Sequence, residues 1–345
     1  MAEKKPGSPW LRGTLYVVAV LCLPTFLIQV LRPDALDPKA HRPTVQTVKF
    51  NVILKTGVLF EWLRRNDSAI ARFEEAEQYA EQLTDTKYES LQKARERLAE
   101  TYLAAGRPSD AGKVYAKIVQ SSMETGLALR LKNNYGEAIP KYEDAERFSQ
   151  KLTTTRLASL FQAQRSLSGC LLALQRNAQL EPVYTRMLST LQEMGDPYDI
   201  ELGNTYRMIA MARSKLNNWP GAEDALLQAD DAYDQIIFHF GRTDDSRVLQ
   251  AKEQKDFDEW YMSACYYNEQ KYDRALSAAE DAFEVLSRRE GARNVPLGVY
   301  TAGLQAAIAL GNREQTRVWQ LRMSDLQNPA RSPDDSAGSE TRQLP

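Results

Sequence analysis

Two textures of apolar and polar residues follow one another along this chain. From Thr14 to Leu31 the sequence TLYVVAVLCLPTFLIQVL carries no formal charge, and a helix of that length covers about 27 Å, close to a bilayer core. Lys4, Lys5 and Arg12 precede it, Arg32 closes it, and Trp10 and Tyr16 lie toward one end, which is the arrangement of charges and rings at head-group level. Pro24 is tolerated in a spanning helix whose freed carbonyl is satisfied locally. The segment reads as a retained anchor. A cleaved signal peptide fits less well, because the apolar run continues through Phe26, Leu27, Ile28 and Val30 without a small-residue cleavage pattern. A lipoprotein signal fits least, since Leu21 stands before Cys22 where a small residue is needed. From Val45 onward apolar residues recur at i, i+3, i+4 and i+7 with charges between, the pattern of successive amphipathic helices, and no strand alternation of useful length interrupts them.

The chain therefore divides into a basic segment (1–13), a transmembrane anchor (14–31), a spacer with three prolines (32–44), a helical array (45–326) and a tail (327–345) without periodicity, expected to be disordered. The expected fold class is all-α. Orientation is nearly balanced by charge, with Arg32, Lys39 and Arg42 on the second flank; moving a short basic tail across the membrane is the less economical choice, so the N terminus is placed inside and the helical array on the far side.

Five stretches of the array share one grammar: a polar turn, a small residue, a second core residue four later and a third after three more. The small residues are Ala69, Ala111, Ala138, Ala222 and Ala275. The second positions are Phe73, Tyr115, Tyr142, Leu226 and Ala279, and the third are Ala76, Ile118, Ala145, Ala229 and Ala282. The preceding helices supply partners: Gly57 with Phe60, Ala99 with Tyr102, Gly126 with Leu129, Ser263 with Tyr266. A further unit is expected between Leu167 and Leu188, with Gly169 and Leu172 in its first helix, Tyr184 in its second, and Leu180 at the small-residue position. This grammar resembles the tetratricopeptide repeat (TPR) family, in which pairs of antiparallel helices stack into a right-handed superhelix. The dominant spacing of 42 residues, Ala69 to Ala111, exceeds the family's usual length of about 34 and resembles the kinesin-light-chain type. One step, Ala111 to Ala138, is only 27 residues, leaving a shortened first helix from about Ser121 to Lys132. The resemblance covers about six units and a capping helix pair, whose last helix carries Arg317, Gln320 and Arg322 toward water.

Composition narrows the function. Lys and Arg number 44 against 46 Asp and Glu, a formal charge of −2, so no broad positive field is present to hold nucleic acid. Two histidines (His41, His239) and three cysteines (Cys22, Cys170, Cys265) are too few and too scattered for a metal cage or a disulfide framework. Nucleotide-binding glycine loops and zinc-protease spacing are absent. Acidic neighbours such as Glu74/Glu75, Asp230/Asp231 and Asp244/Asp245 read as solvated helix faces, Cys170 and Cys265 as small core residues, and His239 as packed between aromatics. No catalytic, cofactor-binding or metal site, and no small-molecule substrate, is expected.

What remains is the concave groove that the resemblance implies, lined by the first helix of each pair, where a protein partner lies as a peptide or helix. The candidate groove contacts are Tyr102, Arg130, Asn133, Asn134, Arg207 and Tyr266, with packing between units as the competing reading for the two tyrosines. The Lys, Asn and Arg clamp by which some members hold chaperone tails is not evident, since Leu54, Val58, Glu96 and Glu100 occupy the flanking positions. The expectation is a membrane-anchored scaffold or adaptor in assembly or quality control of membrane or envelope proteins, in a bacterial periplasm or mitochondrial intermembrane space. The alternative is an accessory subunit packed permanently on a catalytic membrane complex.

Overall fold

A computed structural model of the chain describes residues 45–83, 87–197, 199–242 and 245–327. The anchor segment 14–31, the spacer up to residue 44 and the tail from residue 328 lie outside the described residues. No described helix is long and apolar enough to cross a membrane.

Among the described residues the fold is all α. The helices are α1 (Val45–Trp62), α2 (Asn66–Glu81), α3 (Lys87–Ala104), α4 (Pro108–Leu131), α5 (Tyr135–Ser149), α6 (Arg156–Ala173), α7 (Asn177–Met194), α8 (Ile200–Lys215), α9 (Trp219–Phe240), α10 (Ser246–Asn268), α11 (Tyr272–Glu290), α12 (Leu297–Ala309) and α13 (Arg313–Gln327), with a short 3₁₀ turn at Ala292–Asn294. They fall into two compact units. One holds the described residues up to Thr125 together with Arg147–Arg156, the other Gly126–Glu146 together with those from Leu157 on.

Seven tight turns have one construction. The second residue after the first helix is left-handed in each: Arg64, Gly106, Asn133, Gln175, Asn217, Gln270 and Gly311. The next residue returns its N–H to a carbonyl five positions back, as Arg65 does to Phe60, Asn134 to Leu129 and Lys271 to Tyr266. This satisfies carbonyls that the ending helix would otherwise leave bare. The second helix starts two residues after the left-handed one, and two first helices, α8 and α10, are capped by Asp199 and Asp245 accepting the N–H of Glu201 and Arg247.

All fifteen grammar positions are buried, from Ala69, Phe73 and Ala76 to Ala275, Ala279 and Ala282. The small first-helix residues allow close approach. A Cβ on Gly57 would stand 2.5 Å from the ring of Phe73, and one on Gly126 2.8 Å from that of Tyr142. Two expectations need correction. The step of 27 residues has no separate short helix: α4 runs unbroken, its first turns pairing back with α3 and its last turns serving as the first helix for α5. Nothing in Val119-Gln120-Ser121-Ser122-Met123 breaks a helix. In the pair α6 and α7 the register is one residue earlier than expected. Gly169 is exposed with open space where a Cβ would go, and Leu172 is exposed. Ser168 is buried and hydrogen-bonded to Tyr184, with Leu171 in the core. Ser168 stands seven residues before Gln175, as Gly57 does before Arg64.

The last helix is less polar than a cap. Trp319 is fully buried, and Arg322 is half-buried, with its guanidinium 4.2 Å from the Phe283 ring centroid.

Candidate functional site

The candidate contacts occupy three kinds of place. Tyr102 is buried in the core of the first unit, where its hydroxyl donates to Glu74 Oε1 at 2.6 Å and the Arg107 guanidinium stacks 4.6 Å from its ring. Burial and the Glu74 bond push its phenol up to about 12. These are packing contacts within the first unit's core. Asn133 and Asn134 sit in the turn between α4 and α5, directly after the first helix: Asn133 is the left-handed residue and accepts from the Tyr135 hydroxyl at 3.0 Å. Side chains with a short polar reach tolerate that backbone. Burial raises the pKa values of Tyr142 and Cys170, and Arg130, half-buried in the last turn of α4, offsets part of that rise in both. Tyr266 is half-buried, with Lys271 and Arg274 at 5.7 and 5.8 Å from its ring.

Arg207 belongs to a polar seam across the first helices of the second unit. On α6, Arg165 pairs with Glu201 of α8 at 3.4 Å. One turn on, Asn204 accepts from the Tyr233 hydroxyl at 3.0 Å and from Arg207 at 3.3 Å, and Arg207 also donates to Gln254 of α10. Further along, the hydroxyls of Ser214 and Tyr261 are 2.6 Å apart. Beside this seam Asp258 is 1% exposed, and neither carboxylate oxygen has a hydrogen-bond partner. Arg207 Nε lies 3.8 Å from its Oδ1. Burial dominates and drives its pKa up to about 8, against the pull of Arg207 and with help from Asp230. Asp230 itself is driven to about 6, again by burial, with one oxygen unpartnered.

Sequence reasoning missed a second set of polar contacts, which clasps successive hairpins. In the first unit Glu77 of α2 accepts from Arg95 of α3 at 2.8 Å and Lys117 of α4 at 3.2 Å. Burial raises the Glu77 pKa, but these two bonds outweigh it and the net shift is downward. In the second unit Glu146 of α5 accepts from Gln164 of α6 at 3.0 Å and from Arg186 of α7 at 2.7 and 3.0 Å. The partners lie 18 and 40 residues on in both cases. That spacing was the available signal.

Other expectations shift here. Asp230 is half-buried instead of solvated, and Glu74 and Asp245 have the specific roles given above. His239 is exposed on the last turn of α9, its ring edge-on to Phe240 at 4.6 Å, beside Phe238, which is 91% exposed. Cys170 and Cys265 are fully buried, and burial raises both thiols, Cys265 to about 12, which suppresses thiolate chemistry. Among the described residues no group of three or more His, Cys, Asp or Glu is arranged to hold a metal ion.

No protein-family model and no curated protein matches the chain. Among solved structures it is similar to a putative kinesin light chain of Podosopora anserina with nearly identical TPR-like repeats, at 13% identity over 62% of this chain and 97% of that one, TM-score 0.47. It is also similar to the MamA protein, at 13% identity over 67% of this chain and 100% of that one, TM-score 0.44. A third is the Rap conjugation gene regulator of plasmid pLS20 in complex with the Phr* peptide, at 13% identity over 95% of this chain and 76% of that one, TM-score 0.37. The TPR-like fold of the chain rests on its own helix hairpins, turns and buried grammar positions.

Proposed function

We propose that this protein is a membrane-anchored, TPR-like scaffold that binds a protein partner along the first helices of its array, in assembly or quality control of membrane or envelope proteins. The observation that carries this reading is the polar seam of α6, α8 and α10. Arg165, Glu201, Asn204, Arg207 and Gln254 link neighbouring first helices side by side, and a peptide or helix laid across them meets polar side chains from each first helix in turn. Anchoring follows from the uncharged run Thr14 to Leu31, with the array on the far side of the membrane from the N terminus.

A second reading, a subunit held permanently on a membrane complex, is favoured by α1. It exposes Val52, Leu59 and Trp62, the last at 71%, and Leu63 is exposed in the turn that follows. Helices that face water carry polar outer sides, and on α1 these apolar residues share the exposed side with Gln46, Lys49 and Asn51.

Protease protection in sealed vesicles of known sidedness, followed by crosslinking, tests both. With the cytoplasmic face outward the array is expected to be protected, and crosslinks to a partner are expected to disappear in Arg207→Glu. Digestion of the array would reverse the orientation, and release by carbonate would remove the anchor. Partner crosslinks that ignore Arg207 and are lost in Leu59→Glu favour the permanent subunit.

A further inference from the structure

The turn residues act as a ruler along the chain. Glu77 lies thirteen residues after Arg64, Arg95 eleven before Gly106, and Lys117 eleven after Gly106. Glu146, Gln164 and Arg186 hold the same three positions relative to Asn133 and Gln175. So do Phe283, Tyr300 and Arg322 relative to Gln270 and Gly311, and these also meet: the two rings are 5.4 Å apart, and Arg322 sits 4.2 Å from Phe283. Three positions on three successive helices therefore converge at each of these junctions, and in all three the last is a base.

At the junction of α9, α10 and α11 the same positions are Asp230, Glu259 and Asp281. These positions fall on the same three helix sites by the turn ruler, and burial, Asp256, Asp230 and Asp281 in turn all raise the Glu259 pKa, against the pull of Lys255. The chemistry is inverted. Where Glu77 has two bases and Glu146 has one, Asp230 has two further acids. Asp230 Oδ1 and Glu259 Oε2 are buried without hydrogen-bond partners, as are both oxygens of the fully buried Asp258 next to Asp230. The Lys255 charge acts on both Asp230 and Glu259, but its ammonium is 2.5 Å from Asp234. Asp281 is exposed, so the junction opens to solvent on the side where the heads of Lys117 and Arg186 emerge in the other two.

We infer that the Asp230, Glu259 and Asp281 junction is a receptor for a basic side chain, lysine or arginine, of a protein partner, which takes the place that Lys117 and Arg186 fill from within the chain. A buried carboxylate left without a counter-charge is costly and a well-placed cation recovers that cost on binding. The inference rests on the protein-binding reading above and adds the chemistry of the partner's anchor residue.

The test uses the full-length protein in lipid nanodiscs and, as probes, a labelled acetylated peptide of alternating lysine and glycine, with spermine as the free polyamine. Asp230→Asn and Glu259→Gln are expected to weaken the peptide by at least about tenfold, while Glu137→Gln, an exposed acid of α5, changes nothing. Asp281→Lys rebuilds the clasp from within, so it is expected to abolish peptide binding and to raise Tm. The inference is overturned if Asp281→Lys binds the peptide like the parent, or if Glu137→Gln weakens it as much as Glu259→Gln, which is diffuse attraction. Spermine binding as tightly as the peptide, with the same losses, also overturns it in favour of a free polyamine site. Partner crosslinks in vesicles that persist in Asp281→Lys leave the scaffold reading standing and remove this one; their absence in the parent, with peptide binding intact, removes the scaffold reading alone.

Discussion

Asp258 shows how one side chain can set a pH dependence. It is buried against Arg207 without a hydrogen bond to either oxygen, and its folded pKa is about 8 against 3.8 for a free aspartate. Below about pH 4 both folded and unfolded chains hold the proton and the group contributes no pH dependence. Between about 4 and 8 the folded chain keeps a proton that the unfolded chain releases, so stability falls as pH rises. Above about 8 the effect levels off. Asp258→Asn preserves the shape and removes the titration. Its Tm relative to the parent is therefore expected to climb between pH 4 and pH 8, by an amount on the order of a few kcal/mol in stability. A Tm difference that is flat across that range, measured by calorimetry, would show that Arg207 holds Asp258 ionised throughout.

At the scale of the helix, the turns carry the construction. Left-handed backbone costs an ordinary residue about 1–2 kcal/mol, and a glycine forfeits about 0.5–1 kcal/mol of chain entropy instead. Three of the seven intra-hairpin turns accept the first cost at Arg64, Gln175 and Gln270, Asn133 and Asn217 soften it with a short polar side chain, and Gly106 and Gly311 avoid it. Gln175→Gly is expected to gain up to about 1 kcal/mol, whereas Gly106→Val, β-branched at φ +73°, loses about 1–2 kcal/mol. Urea midpoints of the two variants check the pair; a loss in both would mean that the Gln175 side chain, not its backbone, secures the turn. These turns also explain what could be read from sequence. Small and aromatic residues at helical spacing identify the core because only they fit where backbones approach, and Ala69, Tyr142 and Ala222 all lie there. The register of α6 was harder, since Ser168 and Gly169 are both small and only the position of Gln175 separates them. The continuous α4 was hidden because a missing turn leaves no residue to see. The clasps at Glu77 and Glu146 were hidden for the opposite reason: polar and charged residues 18 and 40 positions apart look like solvated faces until three helices bring them together.

For the molecule as a whole, contacts that stay between near neighbours in sequence have a dynamic consequence. In the second unit α8 packs on α9, α9 on α10, α10 on α11 and α12, and α12 on α13. No described cluster joins the last pair directly to α8 and α9: Ala275, Tyr300 and Trp319 share one core, while Ala229, Tyr233 and Ile236 share another. Stability in such an array is close to a sum of local terms, and opening spreads only as far as the next interface. Gly303 offers a clean place to see this, because an added Cβ would stand 2.3 Å from the indole of Trp319, which is fully buried and has no room to turn. Gly303→Ala should therefore cost about 1–3 kcal/mol as overpacking. In hydrogen exchange the amides of α12 and α13 are expected to lose protection by that amount, those of α11 by less, and those of α8 and α9 by none. Loss shared equally by every helix from α8 to α13 would mean that the second unit opens as one cooperative body, and that its junctions, the acidic one included, are coupled more tightly than nearest-neighbour packing provides.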